Sequence, residues 1–192
     1  MAIAQLTPKI ANGLFEAGCV TLTTNRLRTV SVRPGDARDG ELLAAMYRRL
    51  SERSIRLRYG APRPSLPEAV IRAELDRVLA GDPRLTTALI GTVDEGGGRG
   101  AVAVAELVQL PADRQTAEIA LLVRDDYQRE GLGRALGRML QQAALARGVR
   151  LLRAYLQADN LAIMRLIRGM GVRYTAETRR GETTILIPLE AD

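Results

Sequence analysis

The sequence predicts an α/β (α+β) fold, a single domain on a central mixed, mostly antiparallel sheet of about six to seven strands flanked by about four helices. Three observations predict it. At 192 residues with 46% hydrophobic content, the chain suits one globular domain with a sizeable core. Strand-like runs at 86–93, 100–110 and 116–123 follow one another across short turns, the pattern of an antiparallel meander. The last run then leads through a glycine turn and a long amphipathic helix to another strand at 150–157. That crossover makes strands 116–123 and 150–157 parallel.

In chain order, residues 1–25 carry short apolar patches without sustained period and read as an N-terminal extension. Residues 18–25 can supply an extra strand there, with Cys19 as a small buried hydrophobe. The domain proper runs over 26–192. Residues 28–33 alternate as a strand, and Pro34, Gly35 and Asp36 turn the chain into a helix over 41–50 with Leu42, Leu43, Met46 and Leu50 on one face. In 51–64, Ile55, Leu57 and Tyr59 stand among arginines ahead of prolines that stop a helix. Ser65 and Glu68 have capping-box spacing, opening a helix on Val70, Ile71, Leu75, Val78 and Leu79 that closes at Gly81. Gly96, Gly97 and Gly98 read as a hairpin loop, and strands at 172–177 and 183–189 close the chain as a hairpin around Arg180 and Gly181.

Composition excludes several chemistries. The chain has no histidine and one cysteine, so an intrachain disulfide, a His/Cys zinc site, a Ser-His-Asp triad and a Cys-His nucleophile are all unavailable. A general base must come from a carboxylate, a Tyr, Cys19, Lys9 or a water chain. All but one of the 28 basic residues are arginine, and the net charge is +6. Aromatics make up only 3%, without the interleaving of a base-stacking platform, so a solvated arginine-rich surface is expected rather than a specific nucleic-acid interface. Neither a basic leader with an apolar run nor a membrane-length apolar stretch is present, and cytoplasmic residence is the expectation.

The chemistry concentrates in 118–134, where an apolar strand enters a glycine turn that opens a helix. Gln128, Gly131 and Gly133 give Q-x-x-G-x-G, and Leu132, Leu136, Met139, Leu140 and Ala143 carry the helical period onward. A helix start leaves backbone N–H groups unpaired and adds partial positive charge. Glycines allow close approach to it, and Arg129 and Arg134 add charge, which together suit a pyrophosphate. A Walker A loop is excluded because Arg134 and Ala135 follow Gly133 where Lys and Ser or Thr are needed. A dinucleotide fingerprint is excluded because the spacing begins with Gln and comes late in the chain.

This turn resembles motif A of the GNAT acyltransferase superfamily, [QR]-x-x-G-x-[GA]. Val123 and Tyr127 stand in the V-x-x-x-[YWF] positions ahead of it. Residues 160–172 follow the later frame N-x-x-[AM]-x-x-L-x-x-x-[LM]-G-[FVY], with Met164 one place after the usual small residue. Leu50, Ser51, Ser54, Arg58 and Tyr59 fit L-S-x-x-S-[IR]-x-x-R-[YF], similar to the GNAT domain of bacterial protein lysine acetyltransferases, some of which act on acyl-CoA synthetases.

The resemblance implies a GNAT-like domain whose parallel strand pair splays at an acyl-CoA site. It further implies that Gln128, Arg129, Glu130, Gly131, Leu132, Gly133 and Arg134 hold the pyrophosphate. Leu121, Leu122 and Val123 would pair their main chain with pantetheine and polarise the thioester carbonyl, and Asn160 would hold the arm from the opposite wall. Glu118, in the segment Ala117, Glu118, Ile119, stands where several such enzymes carry the general base. By alternation it shares a face with Ala120 and Leu122, and period alone leaves open which face meets the acceptor. Many members place an acid Tyr where this chain has Ile167, which leaves the acid unassigned: Tyr155, Tyr174 or solvent could substitute, or no acid is needed, since the CoA thiol is a tolerable leaving group. The implied function is acetyl transfer from acetyl-CoA to an amine, a protein lysine, by direct attack, without a metal. A small-molecule amine acceptor and a non-catalytic acyl-CoA-binding regulatory module are the alternatives.

Overall fold

The structure is a computed structural model and describes residues 10–11, 14–15 and 18–190. In chain order its elements are β1 (Ile10–Ala11), β2 (Leu14–Phe15), β3 (Val20–Thr23), β4 (Thr29–Pro34), α1 (Gly40–Arg48), α2 (Glu52–Tyr59) and α3 (Glu68–Leu79). There follow β5 (Thr86–Asp94), β6 (Arg99–Leu110), β7 (Asp113–Val123), α4 (Leu132–Ala146), β8 (Leu151–Gln157), α5 (Leu161–Met170), β9 (Thr175–Arg179) and β10 (Glu182–Pro188). Eight strands form the main sheet in the order β3-β4-β5-β6-β7-β8-β10-β9. Every neighbouring pair is antiparallel except β7 and β8.

The mixed sheet, the meander and the crossover stand as expected; among the described residues the sheet has eight strands, against about six to seven expected, and five α-helices flank it, against about four. The added strand is β3, the expected strand of the N-terminal extension, lying on β4 at one edge. The added helix is α2, whose one fully buried apolar side chain, Ile55, gives almost no amphipathic period. Its ends are nevertheless marked in the sequence: Ser51 caps it and Gly60 closes it at φ 78°.

Two local expectations do not hold. Ser65 and Glu68 form no capping box, because Pro67 takes the N-cap position of α3 and no side chain caps that end. Cys19 is exposed, since it lies ahead of β3 at the margin of the sheet rather than beneath it.

Each sheet face has its own core. On one, Leu132, Leu136, Met139 and Leu140 of α4 pack over Val30, Leu89, Val102, Leu107 and Leu152. Full burial of such a side chain contributes about 1.5–3 kcal/mol. On the other, Leu43, Met46 and Tyr47 of α1, Ile55 of α2 and Ile71 of α3 pack over Ala88, Ile90, Val104 and Leu122. Among the described residues no helix is long and apolar enough to cross a membrane.

Candidate active site

β7 is paired on one side with β6 as far as Val123, opposite Ala103. On its other side it is paired with β8 only at Thr116, Ala117 and Glu118, opposite Leu151, Leu152 and Arg153. From Ile119 onward the two parallel strands separate. Arg124 N–H donates to the Val102 carbonyl at 2.8 Å, which fixes the alternation along β7. Leu122 therefore turns its main-chain groups toward β6, whereas Leu121 and Val123 turn theirs into the gap. Leu122 is instead a packing residue, 7% exposed, in the core beneath α1 and α3.

Glu118 stands at the last paired position before the gap. Leu122 belongs to the core on the α1 and α3 side, while Ile119, Leu121 and Val123 pack on the α4 side, so Glu118 faces α1–α3. It is half-buried, and among the described residues its carboxylate has neither an ion pair nor a hydrogen bond. Two residues along on the same face, opposite Ala120, lies the buried Glu106, paired with Arg77 and 3.8 Å from Arg58. Beside it the hydroxyls of Tyr47 and Tyr59 are buried without a partner among the described residues, and burial raises both phenol pKa values. The alternation of 100–110 gave no sign that Glu106 would face inward as a charge.

After β7 a short 3-10 turn, Asp125–Tyr127, leads into the glycine motif. Arg129 and Gly131 both take left-handed conformations, φ 63° and 87°. Gly131 is the N-cap of α4, and no side chain caps this helix. The first bond of α4 runs from Ala135 N–H to the Gly131 carbonyl, 3.1 Å, so Leu132, Gly133 and Arg134 N–H have no main-chain partner ahead of it. A left-handed residue leading into a helix also converges successive N–H groups, as anion-binding nests do. This end of α4 thus presents N–H groups without main-chain partners at the positive end of the helix dipole.

The side chains of the turn divide sharply. Arg129 and Arg134 are exposed. Glu130 is 2% exposed and receives the Arg28 guanidinium at both carboxylate oxygens, which holds its carboxyl below the usual range. Its side chain is thus turned away from any phosphate. Arg28 also donates to the Asp126 carbonyl and stacks 3.4 Å from the Tyr127 ring centroid, while Asn25 N–H donates to the Glu130 carbonyl at 2.9 Å. The hairpin joining β3 and β4 therefore braces the turn from outside. The Gln128 amide is likewise committed, donating to Ser54 Oγ at 3.1 Å and to the Val123 carbonyl at 3.0 Å. Gly133 serves packing: a Cβ there would lie 2.9 Å from Leu166 Cδ1 and 3.4 Å from Leu121 Cδ2.

Asn160 caps α5, its side chain accepting from Ile163 N–H at 3.3 Å. Ile167 is buried at 4% exposure against the α4 core. Of the two tyrosines open as acids, Tyr174 packs against that same core, with Arg168 Nε 3.4 Å from its hydroxyl. Tyr155 is 53% exposed, and two residues before it on the same face is Arg153, the partner of Glu118. A cleft of about 690 Å³ at the β4–β5 end, lined by Arg28, Ser31, Asp94, Arg99 and Tyr127, contains none of the candidate site residues. Among the described residues no cluster of His, Cys, Asp and Glu has metal-binding geometry.

The model of the acetyltransferase (GNAT) family matches residues 47–172, a span that includes Glu118, the gap, the turn and Asn160. The chain belongs to that family. This GNAT chain is accordingly an N-acetyltransferase with acetyl-CoA as its acyl donor. Among solved structures of similar fold, the GNAT domain of S. lividans PAT matches with a TM-score of 0.76 at 23% identity, covering 91% of this chain and 98% of that one. The Salmonella typhimurium protein yncA, solved with its cofactor acetyl-CoA, matches at 0.58 and 20% identity, covering 85% and 94%. A cAMP-binding acyltransferase from Mycobacterium smegmatis (E234A mutant) matches at 0.59 and 21% identity, covering 91% of this chain but 48% of that one. No curated protein matches by sequence.

Proposed function

We propose that residues 26–192 of this GNAT chain acetylate lysine side chains of a protein, with Glu118 as general base. The observation that carries this is the placement of Glu118: an unpaired, half-buried carboxylate beside the separation of β7 and β8, facing the helices α1–α3. Bound acetyl-CoA supplies the acetyl thioester. The N–H groups at the start of α4 hold its pyrophosphate, with Arg129 and Arg134 adding charge. Leu121 and Val123 offer main-chain groups to the pantetheine arm across the gap, and Asn160 stands at the far wall. An attacking amine must first lose a proton, because an ammonium has no lone pair, and Glu118 accepts it directly or through a water. A main-chain N–H in the gap can stabilise the oxyanion that then forms, an effect worth about 3 kcal/mol in other systems.

Two features favour a protein over a small amine. The frame of Leu50, Ser51, Ser54, Arg58 and Tyr59 is that of protein lysine acetyltransferases, and the S. lividans PAT domain shares the fold. The surface next to Glu118 is also open: Tyr155 is exposed, Thr184 and Leu186 are half-buried, and all of β9 is exposed. Small-molecule sites instead bury most of their ligand. Incubation with acetyl-CoA and either lysine peptides or an acyl-CoA synthetase should give acetyl-lysine by mass spectrometry. Modification of polyamines or aminoglycosides alone would transfer the assignment to small amines, and no thiol release with any acceptor would leave only a binding module.

Tyr155 is the better candidate to return a proton to the departing thiolate, since it shares the Glu118 side of the gap. Tyr155→Phe should lower kcat with acetyl-CoA affinity retained. An unchanged kcat at every pH would assign that proton to solvent.

A further inference from the structure

The turn at the start of α4 and the helix α2 are joined by a hydrogen-bond cluster that the reaction above does not use. Asp125, two residues past β7, accepts from Ser51 Oγ at 2.6 Å and Ser54 Oγ at 2.7 Å through one carboxylate oxygen, and from Ser51 N–H at 2.9 Å through the other. Ser51 Oγ in turn accepts from Ser54 N–H at 3.2 Å, and Ser54 Oγ accepts from the Gln128 amide at 3.1 Å. Each hydroxyl spends its single proton on Asp125 and accepts from one further donor, so the cluster has a single polarity, from Gln128 and the α2 N-terminus toward the carboxylate. Burial raises the Asp125 carboxyl pKa, but the serine hydrogen bonds outweigh it and keep it below the usual range.

α2 is eight residues long with Ile55 as its one fully buried apolar side chain, so little besides this cluster holds its first turn. Arg58 and Tyr59, at its other end, lie beside Glu106 on the face that Glu118 shares.

The geometry points to Ser51, Ser54 and Asp125 as positioning residues that couple the acyl donor to the acceptor wall. Occupation of the turn by acyl-CoA orders α2 and so raises affinity for the acceptor. This rests on the turn being the acyl-CoA site. By linkage the effect is reciprocal, and couplings of this kind are typically about five-fold or more. A ligand that rigidifies one end of a tethered pair lessens the ordering left for a second ligand at the other end.

The test is hydrogen exchange by mass spectrometry on the full chain with CoA as the probe. In the wild type CoA should slow exchange both at 128–134 and at 52–59. In Ser51→Ala/Ser54→Ala it should still slow 128–134 but leave 52–59 unchanged, with CoA affinity by calorimetry kept within a few-fold. Ser54→Ala alone, which keeps the Ser51 cap, gives the same comparison if the double variant does not fold. Protection of 128–134 without any at 52–59 in the wild type overturns the coupling. Equal protection of 52–59 in the serine variants overturns the route through them. Absence of any CoA effect at 128–134 in the wild type overturns the site itself and the coupling with it.

Discussion

The role proposed for Glu118 rests on two things it lacks among the described residues: a β8 partner beyond Arg153 and an ion pair. Glu106, on the same face, shows the contrast, because the Arg77 guanidinium donates to both of its carboxylate oxygens. Glu118→Gln keeps size and hydrogen bonding but removes basicity. General-base catalysis contributes about 10²- to 10⁴-fold, so turnover at neutral pH should fall within that range while acetyl-CoA affinity by calorimetry stays within a few-fold. The deficit should shrink as pH rises toward the lysine value of about 10.4, because more of the acceptor is then already neutral. Wild-type turnover of the variant from pH 6 to 9 would make Glu118 a bystander. Gly133 teaches the opposite lesson. Its missing Cβ makes room for Leu166 and Leu121 rather than for a phosphate, so a Gly133→Asp variant would perturb packing together with binding.

The turn is a single element held from two sides, by the β3–β4 hairpin through Arg28 and by α2 through Ser51 and Ser54. Removing the Arg28 brace, which holds Glu130 within the turn itself, should loosen it without abolishing the sheet. Arg28→Ala leaves the Glu130 carboxylate buried and without its bidentate partner and strips the cover from Tyr127. We expect acetyl-CoA to bind about ten-fold more weakly, a loss of about 1.4 kcal/mol, with Tm falling by about 2–4 °C per kcal/mol of stability lost. Unchanged affinity and melting would show that the hairpin is incidental to the site. These braces also mark where sequence reading stops. The turn, the α4 period and the parallel crossover are local patterns, and all three were legible. Asp125 and its serines lie 74 and 71 residues apart, and no local pattern pairs them. Alternation put Glu118 with Ala120 and Leu122, but only the packing of Leu122 against the α1 and α3 core shows which face that is. α2 was missed because arginines occupy the positions where an apolar stripe would show, although Ser51 and Gly60 marked both its ends.

For the whole molecule, the inventory of titratable groups sets how stability responds to pH. With no histidine, the chain lacks the side chain that ordinarily changes charge between pH 5 and 8. Its perturbed carboxylates lie lower: hydrogen bonds from Arg33 depress Asp39, those from Arg124 depress Glu95 and Asp126, and those from Arg28 depress Glu130. A carboxyl depressed by folding contributes stability that is fully present above its unfolded value, about 3.9 for Asp and 4.3 for Glu. That stability is lost as pH falls through the folded value, because the unfolded chain then binds more protons than the native one. Tm should therefore be flat from pH 5.5 to 8 and decline steadily below about pH 4. Activity should not follow the same curve, since deprotonation of the acceptor amine keeps rising with pH where stability is level. Melting curves and initial rates recorded in one buffer series separate the two. A step in Tm between pH 6 and 8 would contradict this origin in depressed carboxylates, and a rate that tracks Tm across that window would mean that the pH profile reports unfolding rather than proton transfer at Glu118.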